Sequence, residues 1–463
     1  MLDRVYQRSP IWAQQAMVAL YGVWWYGRRF GPLFHELVGD FERRERWSAE
    51  QFTRFQEQQL GELLDVAARS PYYAARLAGV DRTRPFEALA QLPLLEKQIL
   101  RSRAKELLTG EPERGTIVLR SSGTTGTPSE IYYTPRFHAL ELAIPEARNL
   151  HWAGATYRDT RAMFGVRKVC RWDQDAPPFW RNSPIEKLAY FSIYHLSDKY
   201  LPAYIEYLQK IAPAVIMGYP NSLATVARFA LRHGYSLPPA KGIFTTSETV
   251  TPELREDLER AWNCKVWDRY GAVELCFFAS QCEFGRYHVS PDAGIIEILD
   301  TDGTPAKPGE LGEVVTTGLH NRLQPLIRYR IGDAARWAVD QTCQCGRAMP
   351  VLEAIEGRFE DMCITPDGRE LLRFDTVFKG IASIKEAQVI QEALDRFRIL
   401  VVADGRLDPR DAARLRSNMR LHAGDVTCEI SEVSAIERSR SGKFRAVICK
   451  LTSAEKAAAR RTP

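Results

Sequence analysis

Segments with the pattern of strands alternate with segments with the pattern of helices between residues 212 and 271. The run 212–220 is apolar and ends in a Gly-Tyr-Pro turn, and the run 242–247 is a second apolar stretch. Thr251 before Pro252 is a start signal for a helix, and a third strand-like run, 265–271, follows it. Strands that alternate with helices indicate a layered α/β domain. We therefore expect a large N-terminal domain with mixed sheets flanked by helices.

A polar loop rich in serine, threonine and glycine separates two further strand-like runs, 116–119 and 130–133. Glycines let a loop backbone approach a ligand closely, and hydroxyls and free N–H groups donate to anionic oxygens. The loop is not a Walker A motif, because no Gly-Lys-Ser or Gly-Lys-Thr opens a helix here. The pattern favours phosphate binding, with an ordinary surface loop as the alternative. The candidate phosphate-binding residues are Ser121, Ser122, Gly123, Thr124, Thr125 and Gly126.

Composition narrows the class of protein. The chain has 463 residues and a net charge of only +5, so it is long enough for two or three domains and gives no argument for nucleic-acid binding. Nine cysteines in so long a chain do not form a disulfide framework. They indicate a reducing compartment, and no charged leader precedes an apolar core at the N-terminus. We therefore expect a cytoplasmic protein.

The apolar and aromatic stretch from Ile11 to Tyr26 is short for a membrane span and is interrupted by glutamines. We interpret it as a helix that packs on the protein. The alternative is an interfacial helix over 11–29, which Arg28 and Arg29 would steer into weak contact with a membrane surface. Whether the chain forms a homodimer also stays open.

The sequence predicts two domains of unequal size. Residues 1–110 carry mainly helical patterns, and Ser48 followed by Gln51 is a capping-box signal for a helix that begins there. The character of the chain changes near residue 357, and the remainder has strand and helix patterns of its own. We predict a large domain over 1–357 and a small α+β domain over 358–463.

Five short stretches follow one another along the chain, namely 121–128, 270–274, 329–333, 357–361 and 441–443. Each is weak alone, but in this order they resemble the adenylate-forming superfamily of acyl- and aryl-CoA ligases. The details are most similar to its phenylacetate–CoA ligase branch, which includes relatives of the capsular-polysaccharide-biosynthesis type. The stretches 71–73 and 343–347 fit this branch as well.

The resemblance implies a reaction in two steps. A carboxylate attacks the α-phosphate of ATP and gives acyl-AMP and pyrophosphate, and the acyl group then passes to a nucleophile, commonly the thiol of CoA. Glu274 would bind Mg²⁺, and Lys443 would bridge carboxylate and phosphate oxygens from a mobile C-terminal domain. Asp333 and Arg358 would hold the ribose. The remaining contacts to AMP would come from Ser247, Glu248, Asp268, Tyr270 and Gly271.

Two positions depart from the pattern of the family. Thr127 stands where many relatives carry lysine, and Val273 stands where serine or threonine is usual. One cation and one hydroxyl donor are therefore missing, which puts the rate and the nucleotide geometry in question. A non-enzymatic nucleotide-binding scaffold stays as an alternative for this reason, although Glu274 and Lys443 argue against it.

Cysteine and histidine residues in two pairs predict a metal site. Five residues separate Cys282 from His288, and one residue separates Cys343 from Cys345. Three thiolates and one imidazole form a tetrahedral set for structural Zn²⁺ with no open coordination position. Similar pairs occur in some relatives of the branch. Ordinary cysteines and a surface histidine are the alternative.

The pocket for the acid is expected around Gly218-Tyr219-Pro220, Ser247 and the apolar run 275–278, which fits an aromatic or medium-sized apolar acid. A basic and aromatic segment nearby in the predicted fold is either solvated or touches polar groups of the acid or of the acceptor. It comprises Arg167, Lys168, Arg171 and Trp172. The acceptor stays open between CoA and an amine, a sugar or a carrier-protein thiol.

Overall fold

The computed structural model describes residues 2–120, 129–165, 167–171, 173–358, 361–367, 369–371, 374–378, 381, 383–403, 405–438 and 444–459. The chain divides into two compact units. The first comprises Met1–Ile331 and Arg336–Ala354, and the second comprises Gly332–Ala335 and Ile355–Pro463. The second unit therefore combines the C-terminal part of the chain with a short piece of an earlier strand.

Helices make up most of the first hundred residues. The capping box predicted at Ser48 is confirmed, because Ser48 Oγ accepts from the Gln51 N–H at 3.3 Å and Gln51 Oε1 accepts from the Ser48 N–H at 2.9 Å. None of the described helices combines the length and the apolar character needed to span a membrane. The helices here are α1 (Leu2–Arg8), α2 (Ile11–Arg29), α3 (Pro32–Arg44), α4 (Ala49–Ala67), α5 (Pro71–Leu77), α6 (Pro85–Gln91) and α7 (Lys97–Ser102).

A two-stranded antiparallel ribbon follows these helices. Its strands are β1 (Ile117–Arg120) and β2 (Glu130–Tyr133), with Ile117 opposite Tyr133 and Arg120 opposite Glu130. The segment that joins the two strands, 121–128, lies outside the described residues. The ribbon is tied to the rest of the unit through Gln324, whose Oε1 accepts from the Tyr132 N–H at 3.1 Å and whose Nε2 donates to the Glu130 carbonyl at 3.1 Å.

A mixed sheet forms the centre of the fold and confirms the predicted α/β class. Within the described residues its order is β11-β12-β13-β14-β10-β9-β8-β7-β6-β3-β5-β4. The strands are β3 (Arg161–Gly165), β4 (Trp180–Ser183), β5 (Leu188–Ser192), β6 (Val215–Gly218), β7 (Gly242–Thr245), β8 (Val266–Gly271), β9 (Phe278–Gln281), β10 (Tyr287–Val289), β11 (Gly294–Leu299), β12 (Gly312–Gly318), β13 (Tyr329–Trp337) and β14 (Val351–Arg358).

Strands β5, β3, β6, β7 and β8 are consecutive and parallel to one another. Helices connect and cover them, as parallel strands require. Their shared core includes Phe164, Phe191, Tyr204 and Trp262, all fully or nearly fully buried. The helices of this part are α8 (Pro135–Pro145), α9 (Leu201–Ile211), α10 (Pro220–His233) and α11 (Pro252–Trp262).

The second unit has a sheet and a core of its own. Strand β17 is antiparallel to β18, and β19 and β20 flank this pair in parallel orientation, in the order β19-β18-β17-β20. Buried Leu415 and Met419 of the helix belong to the same core as Phe397 and Val401 of the sheet. The elements are β15 (Cys363–Ile364), β16 (Glu370–Leu371), β17 (Ile384–Ala393), β18 (Arg396–Ala403), α12 (Pro409–Ala423), β19 (Thr427–Glu432), β20 (Val447–Cys449) and α13 (Ser453–Ala459).

Candidate functional site

The carboxyl ends of the five parallel strands lie along one edge of the sheet. In open α/β sheets this edge is where ligands bind, because loops that follow parallel strands converge there. Most of the site residues predicted in the first unit occur in or next to these loops. The residues that follow the strands are Tyr194 and His195 after β5, Arg167 and Lys168 after β3, Tyr219 after β6, Ser247 and Glu248 after β7, and Glu274 after β8.

The loops after β6 and β7 are fixed to each other. Glu248 Oε2 accepts from the Asn221 backbone N–H at 3.2 Å and from Asn221 Nδ2 at 3.0 Å, at the start of α10. Ser247 has a φ of 72°, a left-handed conformation that is uncommon outside glycine. Such backbone conformations persist only where the surroundings hold them, and they cluster at binding sites. Ser247 and Glu248 therefore form a defined surface at the strand ends.

Asp268 is buried inside strand β8 and is surrounded by hydroxyl groups. Thr245 Oγ1 donates to its Oδ1 at 2.6 Å, and the Tyr287 hydroxyl donates to its Oδ2. Burial raises the pKa of the Asp268 carboxyl to about 6, while the two hydroxyl donors act in the opposite direction. This side chain therefore joins three strands, β7, β8 and β10.

Tyr270 and Gly271 complete strand β8. The ring of Tyr270 is 9% exposed and lies 4.6 Å from the ring of Phe277 between centroids, at an interplanar angle of 52°. Gly271, the last residue of the strand, is exposed. Tyr270 therefore packs on one side against the segment that follows Glu274.

Glu274 is a buried carboxylate with a hydroxyl partner. The Tyr329 hydroxyl donates to Glu274 Oε1 at 3.1 Å, and the neighbouring carbonyl of Val273 accepts from the Tyr133 hydroxyl. Tyr133 ends strand β2, three residues after Glu130. Because β2 carries the C-terminal end of the predicted phosphate loop, this contact brings the ribbon to the Glu274 segment.

The segment after Glu274 crosses the β11–β12 pair at two glycines. Gly294 and Gly318 are opposite each other in the pair, and a Cβ on Gly294 would lie 1.8 Å from the Cys276 carbonyl oxygen. Only a residue without a side chain permits this approach. Leu275, Cys276, Phe277 and Phe278, predicted near the acid pocket, are all buried.

The four predicted metal ligands come together in the structure. Their ligand atoms all lie within 4.8 Å of one another, with Cys282 Sγ 3.7 Å from Cys343 Sγ and Cys345 Sγ 3.2 Å from His288 Nε2. Two thiolates that share one zinc at ~2.3 Å each lie about 3.8 Å apart in a tetrahedron. The donor set and its spacing therefore fit a structural zinc.

The surroundings of this cluster orient the ligands. His288 Nδ1 contacts the Met349 carbonyl at 3.1 Å, which leaves Nε2 facing Cys345. Arg347 lies beside the cluster and pairs with Glu45 at 2.8 Å and Glu283 at 2.7 Å. The cluster brings together the β9–β10 region and the loop before β14, which are distant in sequence.

The other predicted site residues belong to the second unit or lie outside the described residues. Asp333 is a half-buried residue of β13, and Arg358 is the last residue of β14. Lys443 and the six phosphate-loop residues from Ser121 to Gly126 lie outside the described residues, as does Trp172. Their roles stay predictions.

Sequence reasoning missed the side chains that support the predicted ones. Tyr133, Asn221 and Tyr287 hold Val273, Glu248 and Asp268 through the hydrogen bonds described above, and no motif contains them. Tyr329 could have been found, because it is the first residue of the motif 329–333. Its partner could not, because the contact with Glu274 joins residues that are 55 positions apart. Contacts of that range depend on how the strands are ordered.

Comparison with known proteins gives relatives that match most of the chain. The family model described as the CapK C-terminal domain matches residues 364–450. Protein CapK of Staphylococcus aureus is 24% identical over 462 residues, which is 97% of this chain and 99% of that protein. Phenylacetate-coenzyme A ligase of Thermus thermophilus is 27% identical over 372 residues, 78% of this chain and 80% of that protein.

Solved structures with a similar fold are adenylate-forming ligases. 2-Hydroxyisobutyryl-CoA ligase, in the postadenylation state with 2-HIB-AMP, has a TM-score of 0.70 at 19% identity, over 90% of this chain and 93% of that one. The anthranilate CoA ligase AuaEII, in complex with anthranoyl-AMP, has a TM-score of 0.52 at 14% identity, over 71% and 65%. These structures show a shared fold, and the sequence relatives confirm the family resemblance that the five stretches indicate.

Proposed function

We propose that this chain, an acid–CoA ligase-like enzyme in the phenylacetate–CoA ligase and CapK branch of the adenylate-forming superfamily, activates a carboxylic acid as acyl-AMP. The observation that carries the proposal is the junction at Glu274. A buried carboxylate there meets a tyrosine hydroxyl at 3.1 Å, beside the ribbon that bears the Ser/Thr/Gly loop. This junction lies at the carboxyl edge of parallel strands, where nucleotides bind in α/β folds.

In this proposal different segments of the chain bind different parts of ATP. The loop 121–126 holds the β- and γ-phosphates, and the surface at Ser247 and Glu248 faces the adenosine. Glu274 would hold Mg²⁺, which would neutralise phosphate charge when bound. Tyr329 keeps that carboxylate oriented through its hydrogen bond.

The chemical step transfers AMP to the acid. A substrate carboxylate oxygen bonds to the α-phosphorus, the bond from that phosphorus to the bridging oxygen breaks, and pyrophosphate leaves. Negative charge crowds together as the two anions approach, so a cation aimed at both lowers the barrier. The family resemblance assigns this task to Lys443, and the ribose to Asp333 and Arg358. The same resemblance gives the adenylation task to 1–357 and the mobile lysine-bearing part to 358–463.

CoA is the first candidate for the acceptor. The thiol would attack the acyl carbonyl carbon, the bond to AMP would break, and a thioester and AMP would result. Phenylacetate-coenzyme A ligases are among the sequence relatives, which supports this choice.

The similarity to CapK, which includes the C-terminal part of the chain, supports a second class of acceptor. CapK matches 97% of the chain, and the CapK C-terminal family model falls at 364–450, inside the second unit. In this superfamily the C-terminal domain presents the acceptor, so a CapK-type unit supports an amine, a sugar or a carrier-protein thiol as the alternative.

The test is pyrophosphate release across a panel of aromatic and aliphatic acids, with ATP and Mg²⁺, in the presence and absence of CoA. We expect acid-dependent release, and a thioester when CoA is added. Hydroxamate formation only with an added amine would select the second acceptor class. Absence of acid-dependent release across the panel, with ATP binding retained, would instead establish the nucleotide-binding scaffold.

We also propose that the Cys282–His288–Cys343–Cys345 cluster holds a structural Zn²⁺. Four protein ligands occupy all tetrahedral positions, so no position is left for a reacting molecule. The spacing of the sulfur atoms supports the assignment. The expected consequence is stability of the loops around β10, not participation in acid activation.

A further inference from the structure

The polar side chains of Gln14 and Gln15 on helix α2 face the rest of the protein. Gln15 Nε2 donates to the Asn182 carbonyl at 2.7 Å, and the Asn182 N–H donates to Gln15 Oε1 at 2.9 Å. Asn182 belongs to β4, the edge strand of the large sheet. The side-chain amide of Gln15 therefore pairs with the backbone of this edge strand at Asn182, as a neighbouring strand would.

Two further contacts fix the rotation of α2 about its axis. Gln14 is fully buried, accepts from Arg181 Nε at 3.2 Å and donates to the Tyr6 carbonyl at 3.0 Å. Gly22 is also buried, and a Cβ there would lie 2.0 Å from Ser183 Oγ. The helix cannot rotate without breaking these contacts, so its outward side is set by the fold.

The outward side of α2 is apolar and aromatic. We call it the α2 outer face, and it comprises Trp12, Leu20, Tyr21, Val23 and Trp24, which are 76%, 71%, 47%, 60% and 60% exposed. The two indole rings alone expose on the order of 300 Å², since a tryptophan offers up to ~250 Å². The largest apolar patch of a typical monomer is about 300–600 Å², and patches of this size are often functional. Surface helices normally show the opposite arrangement.

A basic cluster lies next to the start of this helix. Arg8, Lys168 and Arg171 line a cavity of about 470 Å³, and Asp173 on its wall pairs with Arg171 at 2.7 Å. The cluster therefore keeps a net charge of about +2 from three cations and one carboxylate. We call these three cations the basic rim. Arg8 precedes Trp12 by only four positions.

The basic rim is held beside α1 by hydrogen bonds. The Tyr6 hydroxyl donates to the Val169 carbonyl at 2.7 Å, and Gln7 Nε2 donates to the Lys168 carbonyl at 3.3 Å. Helix α1 leads directly into α2, so the rim and the α2 outer face are neighbours along the chain within the first unit.

We propose that the α2 outer face and the basic rim dock the protein on an anionic lipid surface, with α2 parallel to the bilayer plane. Tryptophan rings prefer the level of the headgroups, and basic side chains beside them attract anionic lipids. Trp12 and Trp24 are twelve positions apart, about 18 Å along a helix and about 120° apart around its axis, so they mark the two borders of an outer face that also contains Leu20 and Val23. The proposal is independent of which acid or acceptor the enzyme uses.

Charge favours a membrane over a second copy of the chain as the occupant. A symmetric dimer uses the same surface patch on both copies, so the basic rim of one copy would approach either the rim or, at the far end of α2, Arg28 of the other copy. Like charges brought together at an interface oppose association. An anionic bilayer offers an apolar layer and the opposite charge at once.

Vesicle binding of the full-length protein tests the proposal. Vesicles of phosphatidylcholine alone and with about 30% phosphatidylglycerol are sedimented with the protein, at low and at high salt. We expect partition to the anionic vesicles that high salt weakens. The double variant Trp12→Ser/Trp24→Ser should lower the partition coefficient at least about ten-fold.

The charge variant Arg8→Gln/Lys168→Gln should weaken binding to anionic vesicles about ten-fold and leave the weak binding to phosphatidylcholine unchanged. The matched control is Val339→Ser/Leu421→Ser, which removes apolar residues that are 75% and 82% exposed elsewhere, and it should bind as the unaltered protein does. Melting temperatures check that each variant folds.

Two outcomes would overturn the proposal. One is the absence of enrichment on anionic vesicles over neutral ones. The other is a dimer, seen by sedimentation velocity, that the tryptophan variant dissociates while vesicle binding stays unchanged. Pyrophosphate release in solution should stay unchanged in the tryptophan variant and in the control variant, which separates this test from that of the proposed function.

Discussion

The Tyr329 hydroxyl donates to the Glu274 carboxylate at 3.1 Å, and both side chains are buried. Tyr329 begins β13 and Glu274 follows β8, so the contact joins two of the sequence stretches that resemble the adenylate-forming superfamily. A buried carboxylate needs partners for its charge, and a metal ion is the strongest of them. The pair therefore gives a direct test of the proposed chemistry.

Glu274→Gln should lower the rate of ATP–pyrophosphate exchange by about 10²–10³, because a neutral amide cannot hold the charge of Mg²⁺ among the phosphates. Tyr329→Phe should cost about ten-fold, the equivalent of one hydrogen bond to a charged group, and raise the Mg²⁺ concentration needed. Exchange is measured over a Mg²⁺ series. The control Glu253→Gln changes an exposed carboxylate at the start of α11. Unchanged exchange in Glu274→Gln would remove Glu274 from the mechanism.

Removal of one cysteine ligand tests the zinc proposal. Purified protein should contain one zinc per chain, and Cys345→Ser should lower both the zinc content and the melting temperature, by about 5 °C or more. Elemental analysis and a thermal melt measure the two effects. Cys264→Ser, a half-buried thiol outside the cluster, is the control and should keep its zinc. Well under one zinc per chain in protein purified without chelator would contradict the assignment.

Local signals made much of the fold predictable. The capping box at Ser48 and the Thr251 cap before α11 each depend on residues close in sequence, and the structure has both. Hydrophobic periodicity and helix capping depend on residues a few positions apart, so they predict an element without knowledge of the tertiary contacts. The Cys282–His288 and Cys343–Cys345 pairs were predictable for a different reason, because only a few residue types serve as zinc ligands.

Contacts between distant strands were not predictable in the same way. Tyr133 meets Val273 over 140 positions, and Glu274 meets Tyr329 only because the sheet places β13 in an order that no local pattern encodes. Helix α2 is a further case. Its polar side chains face inward because they cap the edge strand β4, and periodicity alone would assign the apolar side to the core.

The buried carboxyl of Asp268 predicts a pH dependence of stability. Its pKa is raised to about 6 from 3.8, so the folded protein binds this proton more tightly than the unfolded chain does. The stabilising contribution of the proton is full below pH 3.8 and is lost as the pH rises through about 6. Relative to the unaltered protein, Asp268→Asn should therefore gain on the order of 2–3 kcal/mol between pH 4 and pH 8. Urea unfolding at both pH values measures this difference, and a difference that does not change with pH would contradict the prediction.

Gly294 should tolerate no side chain. A methyl group there would lie 1.8 Å from the Cys276 carbonyl oxygen, so Gly294→Ala must displace the segment that follows Glu274. We expect a loss of about 1–3 kcal/mol in the free energy of unfolding and a lower exchange rate in the folded fraction. Urea unfolding and pyrophosphate exchange measure these effects. Gly110→Ala is the control, since no atom lies within 4 Å of its Cβ. Equal stability of the two variants would show that the segment is not pressed against β11.

Lys443 should matter for one half-reaction only. If its charge is needed where the substrate carboxylate and the α-phosphate meet, Lys443→Ala should lower ATP–pyrophosphate exchange by about 10³ and leave thioester formation from supplied acyl-AMP unchanged. The second half-reaction releases AMP and brings no further anion to that place, so it does not need the cation. Lys450→Ala, which breaks only an exposed ion pair with Glu392, is the matched control and should leave both half-reactions unchanged. Equal loss of both half-reactions in Lys443→Ala, with the melting temperature retained, would show that the lysine acts in binding the acyl-AMP and not in forming it.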